Sequence, residues 1–140
     1  MGLVESGVKA VSKGMPKMVT PKRHAIIDYA IAGSFFVAAA ILARRHRRAA
    51  VASLACGVAE IATAVITDYP GGVKPLISFQ THERVDAGLA SVVGAMPLVL
   101  NFKDDREATL FRAQAIAIAA VAGLTQWEDN GLGEWRERIA

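Results

Sequence analysis

Cysteine is nearly absent from this chain of 140 residues. The one present, Cys56, excludes an internal disulfide framework and any multi-cysteine zinc or iron–sulfur site. Aromatic residues make up only 6%, which leaves little to line a haem pocket, and histidine occurs three times. There is no nucleophile elbow, P-loop or dinucleotide fingerprint. Neither sign of charge dominates: 16 Lys and Arg face 13 Asp and Glu, for a net charge of +3. What is abundant is apolar sequence, at 53% against about 45–50% in ordinary soluble domains. That share excludes a disordered chain, and the length allows one domain.

The apolar residues fall into four windows, each interrupted by one charge. They are Ala25–Ala43 with Asp28, Ala49–Thr67 with Glu60, Val85–Leu100 with Asp86, and Thr109–Thr125 with Arg112. A helical span needs about 20 mostly apolar residues, with about 17 as the usual minimum. Apolar residues cover every face of the windows, whereas a soluble bundle helix shows a polar stripe at the helical period. Their length and alanine content exclude strands. Four wholly buried helices cannot be covered by the rest of so short a chain. The expected fold is therefore all-α: a four-transmembrane-helix, up-down-up-down bundle in a lipid bilayer. Ala30 and Ser34, Ala90 and Gly94, and Ala119 and Gly123 are spaced for close helix contact.

The connections are short. Arg44–Arg48 joins the first two windows and Asn101–Ala108 the last two, while Pro70, Gly71, Gly72 and Pro75 break the chain between the second and third. Lipid headgroups account for the basic run Arg44–Arg48, so no nucleic-acid partner is expected. The chain divides into a basic N-terminal surface segment (1–21), a first helical hairpin (22–69), a connecting loop (70–81), a second hairpin (82–127) and a polar tail (128–140). Val4, Val8 and Val11 lie at helical spacing in the first segment, and Trp135 and Ile139 mark the last as interfacial.

An internal repeat is the most informative pattern. His24 and Asp28 are four apart, as are His82 and Asp86, and the two pairs are offset by 58 residues. The same offset carries Thr67-Asp68-Tyr69 onto Thr125-Gln126-Trp127. The chain thus reads as a duplicated helical hairpin. In an up-down-up-down bundle the His/Asp pairs and the threonine ends share one mouth, where His24, Asp28, Asp68, His82, Asp86 and Glu128 gather. Glu60 lies about 10 Å deeper by helical rise. Arg112 begins the fourth span at the other mouth and is expected to snorkel to the headgroups. Tyr69, Trp127 and Trp135 are expected as aromatic-belt anchors, and Cys56 as a small packing residue.

The His24/Asp28 and His82/Asp86 pairs, with Ile66-Thr67-Asp68-Tyr69-Pro70, resemble the SPW-repeat family of small bacterial membrane proteins over roughly residues 21–127. The naming Ser-Pro-Trp triplet is absent, and Met96-Pro97-Leu98 stands at the comparable place. The resemblance implies an integral protein of the bacterial cytoplasmic membrane and supplies no activity.

Residues four apart share a helix face, so each His/Asp pair acts as a unit. One reading is a structural hydrogen-bond network. A second is convergence of His24, Asp28, His82 and Asp86 on a divalent metal, Zn²⁺ or Fe²⁺, with Asp68 as a further ligand or as a partner that supports one, and a third is a proton path through the cluster. Haem is disfavoured because the aspartates crowd a porphyrin. The leading functional expectation is a non-catalytic accessory or scaffold protein of a larger membrane complex or homo-oligomer. The alternatives are a metal or ion site serving transport, sensing or redox, and a membrane enzyme, for which no catalytic residue is evident.

Overall fold

The computed structural model describes residues 13–127 continuously, together with residues 2, 3, 6, 7, 10 and 137. The surface helix expected around Val4, Val8 and Val11, and the interfacial tail with Glu128, Trp135 and Ile139, lie outside the described residues. Within residues 13–127 four helices follow in order: α1 (Pro21–Leu42), α2 (Arg47–Ile66), α3 (Phe79–Val99) and α4 (Ala108–Leu124). Among the described residues there is no β-strand, only two isolated bridges, Val19 with Thr125 and Thr67 with Ile77.

Helix starts are set by local chemistry. Thr20 caps α1 by accepting from the Arg23 amide, with Pro21 at the first helical position, where its missing N–H is harmless. Ser78 caps α3 in the same way, through the Thr81 amide. That cap, with Phe79 buried beside it, starts α3 before the end of the loop expected over 70–81. His82 accordingly sits within the first turn, at the register His24 has in α1. The cap of α2 is His46, whose Nδ1 accepts from the Ala49 amide. Helix α3 ends in a left-handed Asn101 (φ 55), with Asn101 N–H bonded to Leu98 O and Phe102 N–H to Pro97 O. This two-bond ending satisfies carbonyls that the last turn would leave open.

The helices pair as two hairpins, α1 with α2 and α3 with α4, which touch each other less extensively. The main core joins Ile31 and Phe35 of α1, Cys56 of α2, Val93 of α3 and Phe111 and Ile118 of α4. Cys56 is indeed a buried packing residue. Small residues let α2 approach α1 closely: a Cβ at Gly57 would lie 3.1 Å from the Phe35 Cβ and the Phe36 ring. All four helices carry outward-facing apolar side chains. Ile26, Val37, Val58, Val92, Leu98 and Ile116 are each at least half exposed. Helices α1 and α2 are long and apolar enough to cross a membrane, and only 28% and 44% of their apolar windows are buried within the chain.

The 58-residue offset recurs in the backbone at one mouth. Leu76 and Ile77 donate their amides to Ile66 O at the end of α2, and Met18 and Val19 donate theirs to Leu124 O at the end of α4. Asp68 N–H bonds to Ile77 O, and Gln126 N–H to Val19 O. Each helix end is thereby sealed by the segment that leads into an odd-numbered helix, which ties the hairpins together. The loop after α2 turns tightly here, and a Cβ on Gly72 would land on the Thr67 carbonyl. Gly72→Ala is therefore expected to shift this turn and to destabilise the protein by about 1–3 kcal/mol. Thermal unfolding in detergent checks this, and an unchanged melting temperature would contradict it.

Candidate metal centre

The repeated register brings the two His/Asp pairs together at the seam between the hairpins. His24, Asp28, His82 and Asp86 are all at most 3% exposed. The two imidazole Nε2 atoms lie 3.2 Å apart. His24 Nε2 is 3.3 Å from Asp28 Oδ1 and 3.1 Å from Asp86 Oδ2. His82 Nε2 is 3.0 Å from Asp86 Oδ1 and 3.4 Å from Asp28 Oδ2. Each carboxylate thus offers one oxygen to its own histidine and the other to the histidine of the other hairpin. One ligating atom from each of the four residues lies within 4.8 Å of all the others.

The threonines that end α2 and α4 fix the rings. Thr67 Oγ1 donates to Thr63 O at 2.7 Å, and Thr125 Oγ1 donates to Val121 O at 2.6 Å. A hydroxyl has a single proton. With it directed at a carbonyl one turn back, each oxygen can only accept from the histidine beside it. His82 Nδ1–H therefore donates to Thr67 Oγ1 at 2.7 Å, and His24 Nδ1–H to Thr125 Oγ1 at 2.7 Å. Both Nε2 atoms are left facing the carboxylates and each other. The Tyr69 hydroxyl donates to Asp28 Oδ2 at 2.7 Å. Burial and the Asp28 carboxylate hold the Tyr69 phenol well above its ordinary range, so it stays the donor.

The spacing suits a small cation. Zinc bonds of about 2.0–2.1 Å in a tetrahedron place neighbouring ligand atoms about 3.3 Å apart. The N–N separation of 3.2 Å is close to that edge, and each nitrogen has a carboxylate oxygen of both aspartates at 3.0–3.4 Å, although each aspartate meets the two histidines through different oxygens. Threonine contacts at Nδ1 are the kind of outer support that fixes tautomer and ring orientation in metal sites. The donor set is two neutral nitrogens and two carboxylates, so a divalent ion would leave the site without net charge. The aspartates and the short ring-to-ring distance leave no room for a porphyrin between the histidines.

Aromatic rings close the centre toward its mouth. The Phe79 and Trp127 rings meet His24 at centroid distances of 5.5 and 4.9 Å, and the Tyr69 ring meets His82 at 5.4 Å. Tyr69 is fully buried, which corrects its expected place in an aromatic belt. Its hydroxyl is required at Asp28, and its ring helps cover the imidazoles. Trp127 donates its Nε1–H to Ala122 O at 2.8 Å rather than to an interface.

The other expected site residues are placed differently. Asp68 does not join the four-residue ligand group. Helix α2 ends at Ile66 and Thr67 is extended, which brings the Thr67 hydroxyl, rather than the next side chain, to His82. Arg112 is exposed and donates to Lys103 O at 2.8 Å, in the loop at the opposite mouth. Glu60 is buried in α2 at 3% exposure, and its Oε2 has no hydrogen-bond partner among the described residues. The sequence reading missed one pair. His46 Nε2–H donates to Asp105 Oδ2 at 2.7 Å, joining the two loops at the far mouth. The only sequence signal for it was a histidine inside an arginine run. No family model matches the chain, and no curated protein or solved structure matches it.

Proposed function

We propose that the chain is an integral membrane protein of four spans, a duplicated hairpin of the SPW-repeat kind. In it a divalent metal, most simply zinc, binds His24, Asp28, His82 and Asp86 and ties the two hairpins. The observation that carries this reading is the opposition of two Nε2 atoms at 3.2 Å amid carboxylates, with both Nδ1 protons held by threonines. Such a ring of acceptors calls for a cation at its centre. The outward apolar side chains of all four helices support a lipid surround. Helix α4, at 17 residues, is at the lower limit for a span.

Four protein ligands under an aromatic cover resemble a structural metal site, since catalytic zinc sites keep an open position. The role that follows is non-catalytic: a scaffold or accessory subunit whose hairpins are locked by metal. The test has two parts. Alkaline extraction of membranes should leave the protein in the pellet. Elemental analysis of purified protein should find about one zinc per chain, and almost none in the His24→Ala/His82→Ala double variant. Equal metal content in the two proteins would remove the metal reading, and extraction into the alkaline supernatant would remove the membrane reading.

A further inference from the structure

Two buried polar side chains lie below the centre, and neither takes part in it. Glu60 Oε2 and Ser53 Oγ, at 3% and 0% residue exposure, have no hydrogen-bond partner among the described residues. Both belong to one stripe of α2. His46, Ser53, Glu60 and Thr67 are spaced seven apart, and a helix drifts only about 20° per seven residues. The stripe runs from the His46–Asp105 pair at the far mouth to Thr67, which holds His82 at the centre. Successive members are about 10 Å apart along the axis, so a proton crosses each gap only by way of intervening water.

The second hairpin shows that the fold does not need these polar groups. Fifty-eight residues on, Ser53 and Glu60 correspond to Phe111 and Ile118, which are 0% and 2% exposed and belong to the main core. The same place in the architecture accepts apolar packing in α4 and keeps an unpartnered hydroxyl and an unpartnered carboxyl oxygen in α2. Ionisable side chains inside spans are costly and mark ion or proton routes. The aromatic cover blocks the near mouth, so the stripe is the polar approach from the far side. Gly57 lies on the same helix between Ser53 and Glu60 with Phe35 and Phe36 close against it, which excludes a hydrated metal ion from this face.

We propose that Ser53 and Glu60 form an internal proton relay along α2, linking the His46 mouth to the carboxyl group buried beneath the His/Asp centre. A proton from solvent at that mouth passes through water at Ser53 to the Glu60 carboxylate, and Glu60 returns it by the same path. No bond other than O–H is made or broken. The charges that reach Glu60 are Asp86 of α3 and Asp28 of α1, with the Cys56 thiol one turn away on α2. Helix α4 contributes no acidic residue, and its one charge, Arg112, is tied to the Lys103 carbonyl.

The relay rests on the membrane reading of the helices and not on the metal. Infrared spectroscopy of protein in lipid tests it through the carbonyl stretch of a buried carboxylic acid. The wild type should show such a band that Glu60→Gln removes, and the band should shift promptly on transfer to D₂O. Ser53→Phe, which copies the residue of the second hairpin, should slow that shift at least tenfold. Ser53→Leu serves the same purpose if the larger ring prevents assembly. A spectrum unchanged by Glu60→Gln, or an exchange rate indifferent to the residue at 53, would overturn the relay. Metal content and membrane extraction, measured on the same preparations, separate that failure from failure of the metal or membrane reading.

Discussion

Chelation of the proposed metal from detergent-solubilised protein is expected to lower its melting temperature by about 10 °C. The four ligands come from two hairpins, with the histidines 58 positions apart in sequence, so an unfolded chain presents no such site. A ligand that binds only the folded state stabilises it by about 4 kcal/mol at a thousandfold excess over its dissociation constant. For a chain of this size each kcal/mol moves the melting temperature by roughly 2–4 °C. The effect should be large because the hairpins touch each other less than the helices within each of them, and the centre lies on that seam. Zinc should restore the original transition. Magnesium should not, since it prefers an octahedron of oxygens. In the His24→Ala/His82→Ala variant neither chelator nor zinc should move the transition. A wild-type melting curve indifferent to chelator and zinc would mean that the cluster is held by hydrogen bonds alone.

The helices were legible because each apolar window is long and carries a single charge, and the windows end within a few residues of the helix ends. The exception is α3. Its first turn, Phe79 to His82, reads as polar loop until Ser78 is recognised as a cap. The site was half legible. A matched offset brought His24, Asp28, His82 and Asp86 to one mouth, since four-residue spacing on a helix dictates a shared face. The same offset marked Thr67 and Thr125 as anchors without showing their use. Whether a terminal threonine hydroxyl reaches an imidazole depends on the backbone angle after the last helical residue, which the spacing does not encode. Asp68 was expected as a ligand for that reason, and the extended Thr67 gave the place to a hydroxyl instead. Tyr69 fits both a belt and a buried donor by sequence, and only the position of Asp28 decides between them. His46 and Asp105 meet across loops 59 residues apart in sequence, with no shared periodicity to announce the pair.

Two buried carboxylates that look alike in sequence should respond to neutralisation with opposite signs. Asp86 sets one oxygen 3.0 Å from His82 Nε2 and the other 3.1 Å from His24 Nε2. Asp86→Asn removes one charge from a compensated, buried set and is expected to destabilise the protein by about 3–5 kcal/mol. Glu60 has no such compensation. A buried polar group without a hydrogen-bond partner costs about 1–3 kcal/mol, and an apolar side chain of similar size removes that cost. Ile118 occupies the corresponding place in α4 at 2% exposure, so the architecture accepts that side chain. Glu60→Ile should therefore stabilise the protein by about 1 kcal/mol or more. Thermal unfolding of both variants in one detergent, with zinc present, measures the pair of effects. If Glu60→Ile destabilised as strongly as Asp86→Asn, Glu60 would belong to the structural network of the bundle, and its burial would need no functional reason. Opposite signs would mean that the chain keeps Glu60 against its own stability, as expected of a group retained for what it does rather than for what it holds together.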